Sequence, residues 1–166
     1  LLPNNRNIVP TAHQASELSE IPIKVVETTT IQQGIAAILA FDREEDLGIT
    51  LDAMNRAILD IQSGEVVTAV RDFTMDGQFV EAGKIIGSIE NKLVCFGNSP
   101  DQVVQIMIET VLPEEGSLVT LYWGGDITEE NSNELAGVLK NRFPSVEFEM
   151  VYGGQPYYHY LVSFEG

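Results

Sequence analysis

Residues 151–165 constrain the architecture more than any other stretch, because two runs rich in Val, Tyr, Leu and Phe are interrupted by Gly153-Gly-Gln-Pro156. The glycine pair supplies backbone freedom at positive φ, Pro156 fixes its own φ near about −65° and removes a donor, and Gln155 places an amide at the bend. The chain is expected to finish as two antiparallel strands joined by this bend. The bend is expected to present Tyr152, Gln155 and Tyr157 outward.

Upstream, strand and helix signals alternate. Residues 1–7 read as the end of an apolar strand entering a polar turn, so the chain is expected to begin inside a strand. Residues 8–18 have helical character and residues 21–26 form a short β-rich run. The run Thr28-Thr-Thr30 offers a hydroxyl to cap a helix over residues 31–41 that is apolar nearly all round and is therefore expected to be buried. Thr50 is placed to cap a third helix ending near residue 62, with Leu51, Met54, Ile58 and Ile61 on one face and Ser63-Gly64 as its stop. This alternation is that of a parallel sheet and suggests a partial Rossmann-like subdomain over residues 1–62.

The middle of the chain reads differently. Residues 65–71 and 78–90 are strand runs broken at Asp76-Gly77, Ala82-Gly83 and Glu90-Asn91, which suggests a small antiparallel β module over residues 63–98. Ser99-Pro-Asp101 opens a helix closed by Pro113, residues 118–123 form a strand, and Thr128 leads into a helix ending near Phe143. With the final strands these make an α+β subdomain over residues 99–166, expected to form one unit with the β module. The fold class is thus mixed α/β: a partial Rossmann-like parallel sheet followed by a smaller subdomain with an antiparallel carboxyl-terminal hairpin.

A formal net charge of −16 argues against sequence-independent nucleic-acid binding, which needs lysine and arginine to displace counterions from phosphates. It equally disfavours an anionic membrane surface, and leaves a solvated acidic surface or a basic protein partner as readings. No apolar run approaches the roughly 20 residues needed to span a bilayer, and there is no signal peptide, so a cytoplasmic location is expected. Cys95 is the only cysteine, so neither an internal disulfide nor a cysteine-rich zinc site can form.

Catalytic signals are weak. Gly124-Gly125 lies between a strand and a helix, where amides can receive an anion, but Asp126 would repel phosphate and no nucleotide-loop motif is present. His13 and His159 lack a second ligand at metal-binding spacing, and Asp42-Arg-Glu-Glu-Asp46 lacks the ligand alternation of a calcium loop. Asn4-Asn5 is more informative, because it sits where ligands bind in parallel sheets, at the carboxyl end of a strand. Local turn bonding is the competing reading for these amides. Thr30 and Gln33 follow the next β run and share that expected edge.

Leu2-Pro-Asn-Asn-Arg-Asn-Ile8, the segment from Thr28 to Phe41, Gly64-Glu-Val-Val-Thr-Ala-Val-Arg-Asp72 and Tyr152-Gly-Gly-Gln-Pro-Tyr157 resemble, in the same order, blocks of the carboxyl-terminal region of the bacterial fatty acid kinase catalytic-subunit family. These blocks span essentially the whole chain. The resemblance implies a dihydroxyacetone-kinase-like amino-terminal domain, outside this chain, that holds ATP and magnesium; no cofactor is expected in the chain itself. It implies that this region is not itself catalytic and docks a DegV-fold protein carrying a fatty acid, for conversion to an acyl phosphate used in phospholipid synthesis. The family's elements before the first block, including a Gly-Gly-Gln-Thr stretch, do not precede it here, so the first subdomain is expected to be incomplete or cut from a longer protein. A threonine run also replaces the family's lysine-rich turn near Thr28.

Residues that match the blocks are the candidates for the partner-binding face: Asn4, Asn5, Thr30, Gln33, Arg71, Gln155 and Tyr157. For Arg71, a local ion pair with Asp72 is the competing reading. The alternative function is a small-molecule-sensing regulatory domain, with Asn4 and Thr30 at the ligand edge. A homo-oligomer is compatible with the sequence but nothing argues for it.

Overall fold

A computed structural model describes residues 1–75 and 77–166, with Met75 described through its backbone alone; of the expected Asp76-Gly77 break, Asp76 lies outside the described residues. The fold is mixed α/β, and the chain divides into two compact units, Leu1–Ile61 and Gln62–Gly166.

The first unit carries helices α1 (Val9–Leu18), α2 (Ile31–Leu39) and α3 (Leu47–Ala57). The Leu1 amine donates to the Lys24 carbonyl at 2.6 Å and Val26 N–H donates to the Leu1 carbonyl at 3.0 Å. This is the pattern of a parallel pair, so the expected sheet of residues 1–62 is reduced to one parallel contact between extended segments. A small core of Val26, Ala37 and Met54, with Leu2, Ala40, Leu51 and Ile58 against it, holds α2 and α3 together.

Two expectations fail in this unit. Thr50 does not cap α3: Asp46 does, its carboxylate accepting from Gly48 N–H at 2.7 Å, while Thr50 sits inside the helix and its hydroxyl donates to the Asp42 carbonyl. The helix also ends at Ala57, and Ser63-Gly64 belongs to a strand. Helix α2 is not buried all round, because Ile38 and Leu39 are 53% and 80% exposed. Apolar residues occur on every side of it, but only the face carrying Gln32, Gly34 and Ala37 is buried.

The second unit contains strands β1 (Ile61–Thr68), β2 (Phe73–Met75), β3 (Gln78–Val80), β4 (Ile85–Ile89) and β5 (Lys92–Gly97), helix α4 (Pro100–Val111), strand β6 (Leu118–Trp123), helix α5 (Glu129–Arg142), and strands β7 (Glu147–Tyr152) and β8 (Tyr158–Glu165). Six strands form one sheet in the order β5-β4-β1-β8-β6-β7, and β2 and β3 form a separate two-stranded ribbon. β1, β4 and β5 therefore join the same sheet as β6–β8. Glu90 and Asn91 both take positive φ, the signature of a two-residue turn whose twist matches a hairpin, and they join β4 to β5.

The last two strands run antiparallel through the Gly-Gly-Gln-Pro bend, with β6 inserted between them. β6 pairs with β7 in parallel and with β8 antiparallel, so the ladders of both final strands run to β6. The core follows from the register. Val119 faces Phe164, Leu121 faces Val162, and these pack with Val103, Val104, Met107 and Ile108 of α4 and Leu135 and Leu139 of α5. The helix starts are set as their sequences indicate: Ser99 accepts from Gln102 N–H, and Thr128 from Asn131 N–H.

Candidate functional site

In the first unit, Asn4 lies at φ +54°, a conformation that asparagine tolerates because its short amide bonds locally. Its N–H donates to the Thr28 hydroxyl at 3.0 Å, and that hydroxyl donates to Asn4 Oδ1 at 2.7 Å. Thr28 is fully buried. The amide reaches so close to helix α2 that a Cβ on Gly34 would fall 2.1 Å from Asn4 Oδ1. Gln33 turns back in the same way: its Oε1 accepts from both the N–H and the hydroxyl of Thr29, at 2.8 and 2.9 Å. Thr30 caps α2 by accepting from Gln33 N–H. Asn5 Oδ1 accepts from Asn7 N–H at 2.8 Å, yet the residue remains exposed. Asn4, Thr30 and Gln33 are thus brought together as one internally bonded corner at the start of α2, and the corner presents Asn5.

In the second unit, the bend at residues 153–157 is locked to the turn that follows β6. Gly124 N–H donates to the His159 carbonyl at 2.9 Å, Gly125 N–H to the Gln155 carbonyl at 3.1 Å, and Gly153 and Gly154 N–H both donate to the Trp123 carbonyl. The Gly124 and Gly125 amides are engaged within the protein, which removes the anion-site reading of this turn. Gln155 does not project outward as expected. Its Nε2 donates to the Tyr122 carbonyl at 2.8 Å, which ties the bend to β6. Tyr152 is 64% exposed and packs against Trp123 in a tilted arrangement with ring centroids 4.5 Å apart.

Tyr157 does project as expected. It is 89% exposed and sits at φ +70°, a region that bulky side chains rarely adopt. Arg71 is exposed, and the ion pair with Asp72 is not formed; Asp72 instead accepts from Ala82 N–H at 2.7 Å.

Residues that the sequence left unassigned meet beside Tyr157. His159 Nε2 lies 2.8 Å from the Thr68 hydroxyl, and Nδ1 makes an ion-pair contact with the Asp126 carboxylate. The imidazole is 15% exposed, whereas the Asp126 side chain is 52% exposed. A cavity of about 450 Å³ opens here: Val67, Val70, Tyr157 and Tyr158 line it, and Thr68, His159 and Asp126 give it polar groups. Nothing in the linear spacing announces this cluster, since Thr68 and His159 are 91 residues apart and meet only because β8 lies beside β1.

The other candidate groups have structural roles. His13 pairs with Glu27 at the surface. Asp42 accepts from Glu44 N–H and Asp46 caps α3, so that acidic segment is a turn and a helix entry. Burial pushes the Cys95 thiol up to about 11, which makes it unreactive. Among the described residues, no group of three or more His, Cys, Asp or Glu is placed to hold a metal ion. No helix among them is long and apolar enough to cross a membrane.

Glu65 on β1 yields a stability prediction. Burial, and then the charge of Glu90, hold its carboxyl above the ordinary value of 4.5. The folded state therefore retains the Glu65 proton more tightly than the unfolded chain, and this group's contribution to stability falls as pH rises from 4.5 through the raised value. Glu65→Gln is expected to raise the urea midpoint at pH 7 and to leave it unchanged below about pH 4, where both states are protonated. An equal midpoint for the two proteins at pH 7 would contradict this.

A Staphylococcus haemolyticus protein is 34% identical over 165 residues, and Protein YloV of Bacillus subtilis is 29% identical over 165 residues; each match covers 99% of this chain and 30% of the relative. The chain thus spans under a third of the length of these relatives. Among solved structures, the Fak B3 protein of Streptococcus pneumoniae loaded with linoleic acid matches with a TM-score of 0.61 at 12% identity, over 96% of this chain and 66% of that one. The Thermotoga maritima protein TM841, described as having a fatty acid binding function, matches with a TM-score of 0.63 at 17% identity, over 94% of this chain and 63% of that one. The DegV family protein Cg2579 of Corynebacterium glutamicum matches with a TM-score of 0.64 at 12% identity, over 94% and 69%. At these identities the solved structures establish a common fold and no more. The family model for the FakA-like carboxyl-terminal region of fatty acid kinase matches residues 1–165, and the chain belongs to that family.

Proposed function

We propose that this domain docks an acyl-carrying DegV-fold protein, so that the bound carboxylate reaches the ATP and magnesium of a kinase domain elsewhere in the same polypeptide, where it is converted to an acyl phosphate. The domain's own contribution is proximity: holding two reactants in register converts a bimolecular encounter into an effectively unimolecular step. In this reading it carries no catalytic group. The family match over residues 1–165 supports a place in fatty acid kinase, and the acyl carriers named among the solved structures share this fold.

The observation that carries the docking step is Tyr157. An aromatic ring 89% exposed at φ +70° costs conformational energy and contributes little to the core, which is the profile of a residue retained for contact with another molecule. Asn5, Arg71 and Tyr157 are the proposed contact residues, while Asn4, Thr30, Gln33 and Gln155 position the backbone that presents Asn5 and Tyr157.

Calorimetric titration of this chain with a DegV-fold acyl carrier from the same organism, loaded and empty, tests the proposal. Saturable binding is expected, weakened roughly tenfold by Tyr157→Gly, as for an aromatic anchor. The same substitution relieves the positive φ and is expected to leave thermal stability unchanged or slightly raised. Unaltered affinity in Tyr157→Gly and in Arg71→Ala would remove the bend and Arg71, respectively, from the interface, and absence of binding by the folded chain would overturn the docking reading.

A second reading, a small-molecule-sensing regulatory domain, is favoured by the cavity over Thr68, Asp126 and His159. Ligand-dependent thermal stabilisation with no partner present would support it.

A further inference from the structure

We infer that the cavity beside Tyr157 is a binding site for an alkyl cation, a guanidinium or ammonium group on an apolar stem, with Asp126 as its counter-charge. The inference stands on the cavity's own chemistry and does not require the docking partner. Its walls are mostly apolar, from Val67, Val70 and the rings of Tyr157 and Tyr158, while one carboxylate supplies the charge. A long basic side chain or a free amine has this division along its length: methylenes that prefer an apolar wall and a head that needs an acceptor.

The acceptors are held in advance. Asp126 lies against His159 Nδ1 and beside the Gly124 turn, so close that a Cβ on Gly124 would come within 3.2 Å of Asp126 Oδ1. Half of the Asp126 side chain nevertheless stays open. The tyrosine rings offer π faces, which attract a cation by their quadrupole. The surrounding field has the matching sign. No lysine or arginine is among the lining residues, the chain carries a net charge of −16, and the charge on Glu65 is the largest cause of the raised pKa of the Tyr158 hydroxyl. An anionic ligand would meet Asp126 at the mouth and Glu65 near Tyr158, so carboxylates and phosphates are disfavoured.

The test compares butylguanidinium with butylurea, which has the same stem and a planar polar head without charge, by following the ring protons of His159 and Tyr157 in NMR spectra of the chain. Butylguanidinium is expected to shift both saturably with a Kd of about 1 mM, corresponding to roughly 4 kcal/mol. Butylurea is expected to shift neither, and Asp126→Asn to abolish the butylguanidinium response. Absence of a butylguanidinium response, or equal responses to both probes, would overturn the site without any variant. Retention of the full response in a folded Asp126→Asn chain would overturn the role given to the carboxylate. A parallel titration with N-acetyl-Gly-Arg-Gly-amide identifies the source: tighter binding of the peptide indicates the basic side chain of a protein, and tighter binding of butylguanidinium indicates a free small cation.

Discussion

Gly124→Ala is expected to destabilise the Gln62–Gly166 unit by about 3 kcal/mol, the upper part of the range for overpacking a site that cannot relax. The new Cβ would lie 2.1 Å from the Tyr158 carbonyl oxygen and 2.9 Å from that of Gln155, and both obstacles are backbone. Relief requires the bend to leave the β6 end. That movement breaks the bonds from Gly124 to His159 and from Gly125 to Gln155, along with those from Gly153 and Gly154 to Trp123. Each is worth roughly 0.5–1.5 kcal/mol net, so the bend cannot withdraw without cost. Gly125→Ala is the control, since its Cβ would meet only the Gly154 carbonyl, at an ordinary 3.6 Å. The single tryptophan, Trp123, packs against Tyr152 beside this joint and reports its loss by fluorescence in urea titrations. A loss below about 1 kcal/mol in Gly124→Ala would mean that the bend shifts as a body and the two loops are not locked.

The same joint shows where sequence reading reaches its limit. Gly124-Gly125 is legible as a turn between strand and helix, and the Gly-Gly-Gln-Pro segment as a bend, because each is a local backbone requirement. That one docks into the other is a tertiary fact carried by main-chain groups, which have no sequence identity. Local signals also marked the helix entries after the threonine run 28–30, at Ser99-Pro-Asp101 and at Thr128, and the hydroxyls of Thr30, Ser99 and Thr128 each accept from the N–H three residues on. Thr50 misled because it precedes an apolar run at good cap spacing, whereas α3 already begins after Asp46 and uses Gly48-Ile-Thr as its first turn. The insertion of β8 between β1 and β6 follows from long-range pairing, and with it comes the meeting of Thr68, His159 and Asp126. The resemblance of the four blocks to a known family pointed to residues on the chain, but not to which amides are engaged internally. Asn4, Gln33 and Gln155 proved to be fasteners, while Asn5, Arg71 and Tyr157 are exposed.

Met107→Ala is expected to cost about 2–5 kcal/mol, the range for truncating a fully buried long side chain. Met107 is 0% exposed on α4 and lies over two glycines of the sheet. A Cβ on Gly64 of β1 would fall 2.7 Å from Met107 Cε, and a Cβ on Gly87 of β4 would fall 2.6 Å from Sδ and 2.8 Å from Cγ. The glycines therefore form the floor on which α4 rests, a role that a helix stop at Gly64 would not have given. Gly87→Ala alone should cost about 1–3 kcal/mol by overpacking. In the double variant each change offsets part of the other, since the added methyl enters space that the methionine has left. The expected coupling is at least about 1 kcal/mol, short of full rescue because Val103 Cγ1 also stands 2.8 Å from the new Cβ. Urea midpoints of the four proteins measure it. Additivity within about 0.5 kcal/mol would mean that helix and sheet do not meet through this methionine. A clear coupling would place the registration of α4 on β1 and β4 in the absence of two side chains, with β1 delivering Thr68 to His159 from the end of the strand that this contact holds.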